Sequence, residues 1–163
     1  MSRPAFYALA SGGWRDYVTI LHLPYTAWHL SYVAIGAALA SELETNRLLA
    51  ALAAFFLALG IGAHALDELQ GRPLATRIPT RVLWGLALGS IGGAVAIGIG
   101  AALAWTFWLL PFVVAGSFLV FAYNLELFGG LFHTDLWFAL AWGAFPLLTG
   151  YFGKRESLRG TIV

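Results

Sequence analysis

The side chains best suited to chemistry lie together in one stretch that follows a long apolar run. His64, Asp67 and Glu68 have the i, i+3 and i+4 spacing that places side chains on one face of a helix. Arg72 and Arg77 follow within a short distance. Carboxylate oxygens bind Mg²⁺ while substrate phosphates complete its shell, and arginines bind phosphate groups bidentately. The stretch therefore favours a site for Mg²⁺ and an anionic headgroup at the end of a membrane helix.

Two other interpretations of these polar residues stay open. Acids and arginines also occur wherever a membrane helix meets water, and positive residues mark the cytoplasmic side. Neutral histidines in helices can bind a pigment or a haem iron, which makes His22, His29, His64 and His133 alternative candidates. His22 and His29 are more typical of histidines that form hydrogen bonds between helices or at the membrane interface.

The composition is that of a membrane protein. Of 163 residues, 60% are hydrophobic and 10% are charged, and the mean hydropathy is +0.79. Soluble domains carry about 25% charged residues, so a chain this apolar needs lipid as its outer solvent. A net charge of +1 gives no broad positive field for nucleic acid. The absence of cysteine excludes disulfides, thiolate zinc sites and cysteine nucleophiles.

Apolar helices must position the polar residues. We expect an all-α, polytopic transmembrane bundle of about five spans, at residues 17–40, 48–66, 82–105, 110–128 and 136–152. The remaining parts are an interfacial N-terminal segment (1–16), a polar segment (67–81) and a basic tail (153–163). One helix from 82 to 122 would be about 60 Å long, twice a bilayer core, so we divide it near 106–111. The polar segment is long enough for a short amphipathic helix on the membrane surface.

The third expected span is rich in glycine. Gly85, Gly89 and Gly93 follow one another at four-residue intervals, which is the small-xxx-small pattern of close helix contacts. We therefore expect another helix to pack closely against this face, either within the bundle or in an assembly.

Five spans would bring the polar segment and residues 124–135 to the same side of the membrane as the N-terminus. That side would hold most of the arginines, so we expect it to face the cytoplasm, with the protein in the plasma (inner) membrane. Four spans would move the basic tail to the inside but would separate the two polar segments.

The residues that would meet on that side form the candidate site. Asp67 and Glu68 are the expected Mg²⁺ ligands and catalytic residues. Substrate binding is expected from His64, Arg72, Arg77, Tyr123 and Asn124, and further polar side chains on the same face are Glu126, His133 and Asp135. Apolar walls above would receive a lipid-like tail. Such a site suits the transfer of an isoprenoid chain from a diphosphate to an acceptor.

Three stretches carry a family resemblance. They read WRDYVTILHLPYTAWHLSYVAIGAALA (14–40), HALDELQGRPLATRIPTRVL (64–83) and AYNLELFGGLFHTDLWFALAWGAFPLLTGY (122–151). These are similar to the first helix, the first aspartate-rich motif, and the fourth and fifth helices of the UbiA superfamily of membrane-embedded prenyltransferases. The chain thus resembles the N-terminal half of that family over nearly its whole length up to Tyr151.

The resemblance implies isoprenyl transfer from a diphosphate to a lipid or aromatic acceptor, with Mg²⁺ as cofactor and an isoprenoid or quinone-like lipid as partner. The family has about nine helices and a second aspartate-rich motif, which this sequence lacks, and Gly71 stands about where another aspartate of the first motif would be. The alternatives are a prenyltransferase that is incomplete as an enzyme, or a non-catalytic subunit of a larger respiratory or photosynthetic membrane complex. Such a subunit would bind a lipid, quinone or pigment tail. Both alternatives predict other transmembrane subunits or a homo-oligomer as partners.

Overall fold

Helices account for every regular element in the described part of the chain. The computed structural model describes residues 4–40 and 44–152, so the basic tail lies outside the described residues. Its α-helices are α1 (Trp14–Ile20), α2 (Leu23–Ala38), α3 (Thr45–Phe55), α4 (His64–Leu69), α5 (Thr80–Ala104), α6 (Leu110–Asn124), α7 (Leu127–Gly130), α8 (Asp135–Phe138) and α9 (Phe145–Phe152). The first π-helical segment (Phe56–Ala63) joins α3 to α4, and the second (Ala139–Ala144) joins α8 to α9. A 3₁₀ turn (Phe107–Leu109) precedes α6.

Three helices are long and apolar enough to cross a membrane, judged by length and composition. They are Thr45–Leu69, Thr80–Ala104 and Phe107–Asn124, with mean hydropathies of 2.1, 2.0 and 1.7. The protein is therefore an all-helical membrane protein. The other two expected spans do not meet the same measure: α2 has only 16 residues, and the helix from 135 to 152 is not among the three.

The expected first span, 17–40, is not one continuous helix. His22 has φ 45°, and this left-handed residue separates α1 from α2. Pro24 lies in the first turn of α2, where its missing N–H is tolerated. A helix running through this point would lose a backbone hydrogen bond at Pro24 and bring its ring against the preceding turn. Helix α1 therefore ends before His22, and α2 begins at Leu23.

The expected surface helix in the polar segment is replaced by a loop. Helix α4 continues to Leu69, and α5 begins at Thr80 directly after Pro79. Between them, Gly71, Arg72 and Ala75 have φ of 84°, 57° and 52°. Left-handed residues cannot continue a right-handed helix, and the two prolines of this segment lack backbone donors.

The closest helix contacts occur at glycines, but most of the glycines in the third expected span do not take part in them. A Cβ added at Gly36 or Gly150 would meet backbone atoms of the facing helix, so α2 and α9 cross at these two residues. A Cβ added at Gly85 or Gly89 would meet nothing within 4 Å, whereas one at Gly93 would lie 3.2 Å from the Leu57 side chain. Gly85 and Gly89 therefore do not pack against another helix of the described chain.

Candidate functional site

Glu68 is fully buried and organises the loop between α4 and α5. Its Oε2 accepts a hydrogen bond from the Leu74 amide at 3.0 Å. Its Oε1 accepts from the Thr76 amide at 2.8 Å and from the Thr76 hydroxyl at 2.7 Å. Both carboxyl oxygens thus satisfy loop donors that would otherwise be buried without partners. This is the geometry of a residue that shapes the loop.

Arg72 holds the same loop from the other side. Its guanidinium donates to the Ile78 carbonyl at 2.6 Å, to the Thr80 hydroxyl at 3.2 Å and, at 3.4 Å, to the Thr76 carbonyl. The side chain therefore lies along its own loop, in contact with the start of α5. A diphosphate would have to compete with these three acceptors for the guanidinium.

Arg77 contacts the N-terminal segment through its backbone amide, and its side chain is exposed. Its amide donates to Asp16 Oδ2 at 2.8 Å, while Asp16 Oδ1 accepts from the Gly12 amide at 2.8 Å. Asp16 is only 3% exposed. A buried carboxylate thus ties the N-terminal segment to the loop and brings Tyr7 over the polar end of the bundle.

At this end lies a polar cavity of about 410 Å³. We call it the histidine cavity, and it is lined by Tyr7, His22, Tyr25, His29, Leu59, Ala63, His64, Asp67, Gln70, Pro73, Tyr123, Asn124, Glu126, His133, Phe138 and Trp142. Residues from both polar segments meet here, and the Gln70 amide donates to the Leu125 carbonyl at 3.4 Å across the gap between them. The two segments that the sequence placed on one side therefore share one cavity.

Three of the lining histidines are oriented by backbone carbonyls. The Nδ1 atoms of His29, His64 and His133 lie 3.0, 3.2 and 3.1 Å from the carbonyl oxygens of Trp142, Gly60 and Tyr123. A carbonyl oxygen can only accept, so each Nδ1 carries a hydrogen, and Nε2 is the acceptor in the neutral form of each ring.

His22 completes a stack of rings on one wall of the cavity. Its ring lies 4.1 Å from that of His64 at an interplanar angle of 19°, and its Nδ1 is 2.7 Å from the Tyr7 hydroxyl. Burial raises the pKa of Tyr7 to about 12, so its hydroxyl is neutral at pH 7 and can form this hydrogen bond with His22.

Acidic side chains, but no lysine or arginine of the described residues, line the cavity. The acidic residues are Asp67 and Glu126. The Asp67 carboxylate makes no hydrogen bond within the described part of the chain, unlike that of Glu68. The cavity therefore lacks the cationic groups that attract phosphates.

Mg²⁺ does not fit the described side chains well. Within residues 4–40 and 44–152, no three His, Asp or Glu side chains are grouped so that they could hold a metal ion. Of the two expected ligands, Glu68 uses both oxygens on the loop, and Asp67 alone keeps free oxygens beside the cavity. A single carboxylate is a minimal Mg²⁺ site and depends on substrate phosphates for the rest of the shell.

An apolar groove adjoins the histidine cavity and extends toward the opposite end of the bundle. It has a volume of about 140 Å³ and is lined by α3, α5, α6, α9 and both π-helical segments. At its far end, the Arg47 guanidinium carbon lies 5.6 Å from the centroid of the Trp105 ring. Leu59 and Trp142 line both the groove and the histidine cavity, so the two spaces adjoin at these side chains.

The structure brings together only some of the residues expected from the sequence. His64, Asp67, Tyr123 and Asn124 line the histidine cavity, while Arg72 belongs to the loop. Glu68 and Arg77 also lie outside the cavity lining. Their metal-binding, catalytic and substrate-binding roles stay predictions.

The sequence did not single out the cavity residues Tyr7, Tyr25 and Gln70, and it offered His22, His29 and His133 only as alternative pigment or haem ligands or, for His133, as a further polar side chain of the candidate site. The histidines were visible as polar exceptions in apolar spans. Their convergence depends on which helices are neighbours, which the spacing along the chain does not show.

Comparison with known proteins identifies no relative of this chain. No family model, no curated protein and no solved structure matches this chain. The resemblance to UbiA prenyltransferases therefore stays a prediction.

Proposed function

We propose that this protein holds an isoprenoid or quinone-like lipid inside the membrane. The lipid headgroup occupies the histidine cavity, and its chain follows the apolar groove. The observation that carries this proposal is that a polar cavity and an apolar groove adjoin at Leu59 and Trp142, which line both. From Arg47 to Leu59 the groove follows about 18 Å of helix at 1.5 Å per residue, which suits an extended chain.

The π-helical segments support this assignment. Leu59 belongs to the first segment and Trp142 to the second. Each π-helical turn shifts the side chains that follow it around the helix axis, and such turns are frequent at functional sites. Here both segments face the boundary between the cavity and the groove.

A protein that binds such a lipid could also catalyse prenyl transfer, and the resemblance to the UbiA superfamily suggests this reaction. It would need Mg²⁺ and a diphosphate near Asp67, where Glu68 and Arg72 are held by the loop. Lipid binding without transfer, as in a subunit of a larger complex, requires neither group. We therefore favour a non-catalytic lipid-binding membrane protein, with other transmembrane subunits or a second copy of the chain as partner.

The proposal includes about five membrane crossings. In this arrangement α2 and the helix from 135 to 152 also cross, and the histidine cavity opens near the cytoplasmic face of the inner membrane. Arg15, Arg72, Arg77 and Arg81 lie on elements at that end, which fits the enrichment of positive residues on the cytoplasmic side.

The test is the lipid that accompanies the purified protein. Ala54→Trp places an indole in the groove, and Leu88→Trp places one on an exposed face of α5 as the matched control. We expect mass spectrometry of gently extracted protein to detect a bound isoprenoid or quinone-like lipid in the wild type and in the Leu88 variant. The Ala54 variant should lose most of it. Equal lipid content in all three proteins, or none in the wild type, would contradict the proposal.

A further inference from the structure

The histidine, amide and carboxyl side chains of the histidine cavity offer more acceptors than donors, while the hydroxyls of Tyr7, Tyr25 and Tyr123 can both donate and accept. His29, His64 and His133 each use Nδ1–H on a backbone carbonyl and keep Nε2 as an acceptor. The backbone carbonyl therefore fixes the tautomer of each ring, so that Nδ1 is the donor and Nε2 is the acceptor.

The two amide side chains add to the same imbalance. Asn124 donates from Nδ2 to the Val120 carbonyl at 2.6 Å, and Gln70 donates from Nε2 to the Leu125 carbonyl at 3.4 Å. Each keeps its side-chain carbonyl oxygen, which has two lone pairs, as an acceptor and one further N–H as a donor. The carboxylates of Asp67 and Glu126 also accept when ionised. An occupant that only accepts hydrogen bonds would leave most of these atoms without partners.

The charge and the shape of the cavity further restrict which molecules can bind in it. No arginine or lysine among the described residues lines the cavity, so an anionic headgroup would meet two acids and no cation. The walls include aromatic rings, with Tyr123 5.2 Å from Trp142 and 6.2 Å from Phe138 between ring centroids. Such walls favour a flat ring over a flexible polar chain.

We propose that the histidine cavity selects a headgroup ring that carries hydroxyl donors and no negative charge, as in the reduced, quinol form of a quinone-like lipid. The oxidised quinone has only carbonyl acceptors on its ring, and an isoprenyl diphosphate is a strong anion. This inference rests on the proposed lipid-binding function and names the form of the lipid that the site prefers.

The experiment compares three probes on the full-length protein in lipid nanodiscs by anaerobic calorimetry. The probes are a quinol with a short isoprenoid chain, the quinone of the same compound, and an isoprenyl diphosphate of equal chain length. We expect the quinol to bind about tenfold more tightly than the quinone, the effect of one net hydrogen bond at the upper end of the usual range. The diphosphate should bind most weakly.

His133→Phe removes one acceptor at an exposed position and so carries little risk to folding. It should weaken quinol binding several-fold and leave quinone binding unchanged. Phe138→Leu alters an apolar wall and is the matched control, which should shift both affinities equally. The same outcome for both variants would overturn the assignment of His133 as an acceptor for the headgroup.

The outcomes separate this inference from the proposed function. If the quinone binds as tightly as the quinol, the preference for donors is overturned while lipid binding stands. If the diphosphate binds most tightly, the preference is overturned and prenyl transfer becomes the better assignment. If none of the three probes binds, the proposed lipid-binding function fails as well.

Discussion

Glu68 shows how one buried carboxylate can determine the shape of a polar segment. It receives three hydrogen bonds from Leu74 and Thr76, which lie six and eight residues along the chain. Most buried polar groups in proteins are paired in this way, because an unpaired one loses its hydration without compensation. The loop between α4 and α5 is therefore fixed by a side chain from the helix that precedes it.

Replacing Glu68 with alanine should destabilise the protein. The change leaves the amides of Leu74 and Thr76 buried without partners, at about 1–3 kcal/mol for each unsatisfied group. We expect faster amide hydrogen exchange in residues 70–79 and a free energy of unfolding lower by about 2–5 kcal/mol.

Asp67→Asn is the matched control for this variant, because the Asp67 carboxylate has no hydrogen bond within the described residues. It should leave loop exchange unchanged. If the Glu68 variant keeps wild-type exchange in the loop but loses Mg²⁺-dependent diphosphate binding, Glu68 is a metal ligand rather than a loop-organising residue.

At the residue scale, the sequence predicted the location of the site better than the role of each side chain. His64 and Asp67 lie beside the cavity because helical spacing along α4 is regular and can be counted from the sequence. Glu68 and Arg72 were assigned to a ligand because the sequence shows their charge but not the loop backbone that surrounds them. The loop conformation depends on left-handed residues at 72 and 75, where side-chain type gives little warning.

Helix crossings are set by a few small residues at the element scale. At Gly150 an added Cβ would lie 3.1 Å from the Ala37 nitrogen and closer still to the Val33 carbonyl oxygen. Backbone atoms cannot move aside as a flexible side chain can. The contact between α2 and α9 therefore depends on a hydrogen at this position.

Gly150→Ala should separate α2 from α9 and lower the thermal stability of the detergent-extracted protein. Overpacking of a tight contact typically reduces stability by about 1–3 kcal/mol. Gly89→Ala is the matched control because its added Cβ meets nothing within 4 Å, and alanine should slightly stabilise α5. A similar melting temperature for the Gly150 variant and the wild type would show that this crossing is looser than the structure indicates.

The sequence pattern located long apolar helices but not their irregular turns. Both π-helical segments occur inside apolar stretches whose composition resembles that of the neighbouring α-helix. A π-helical turn is stabilised by the packing around it, and that packing depends on distant parts of the chain. The break at His22 was marked only by Pro24, which also occurs at the start of uninterrupted spans.

The whole molecule has two chemically different ends joined by apolar walls. One end holds the histidine cavity and the loop fixed by Glu68, and the other holds Arg47 against Trp105. Gly85 and Gly89 face outward from α5, so the described chain presents a smooth surface there to lipid or to a partner helix. The helix Thr45–Leu69 connects the two ends, and the number of membrane crossings depends on whether α2 and the helix from 135 to 152 also cross.

Single-cysteine labelling can count these crossings, because the natural chain contains no cysteine. We would place one cysteine in turn at the exposed residues Ala10, Glu44, Ala75, Phe107 and Leu131. Five spans with a cytoplasmic N-terminus predict that a membrane-impermeant maleimide labels only positions 44 and 107 in intact cells. Positions 10, 75 and 131 should react only after the membrane is permeabilised. Labelling in permeabilised cells is also the control that each cysteine is accessible.

Labelling at Ala10 and Glu44 tests whether α2 crosses the membrane. If α2 crosses the membrane, these positions lie on opposite sides and react differently in intact cells. Its 16 residues extend only about 24 Å at 1.5 Å per residue, less than the roughly 30 Å core of a bilayer. A span this short requires local thinning of the bilayer or help from flanking residues. Equal labelling at 10 and 44 would show that α2 does not cross, and would leave the histidine cavity beside a helix that lies within one leaflet.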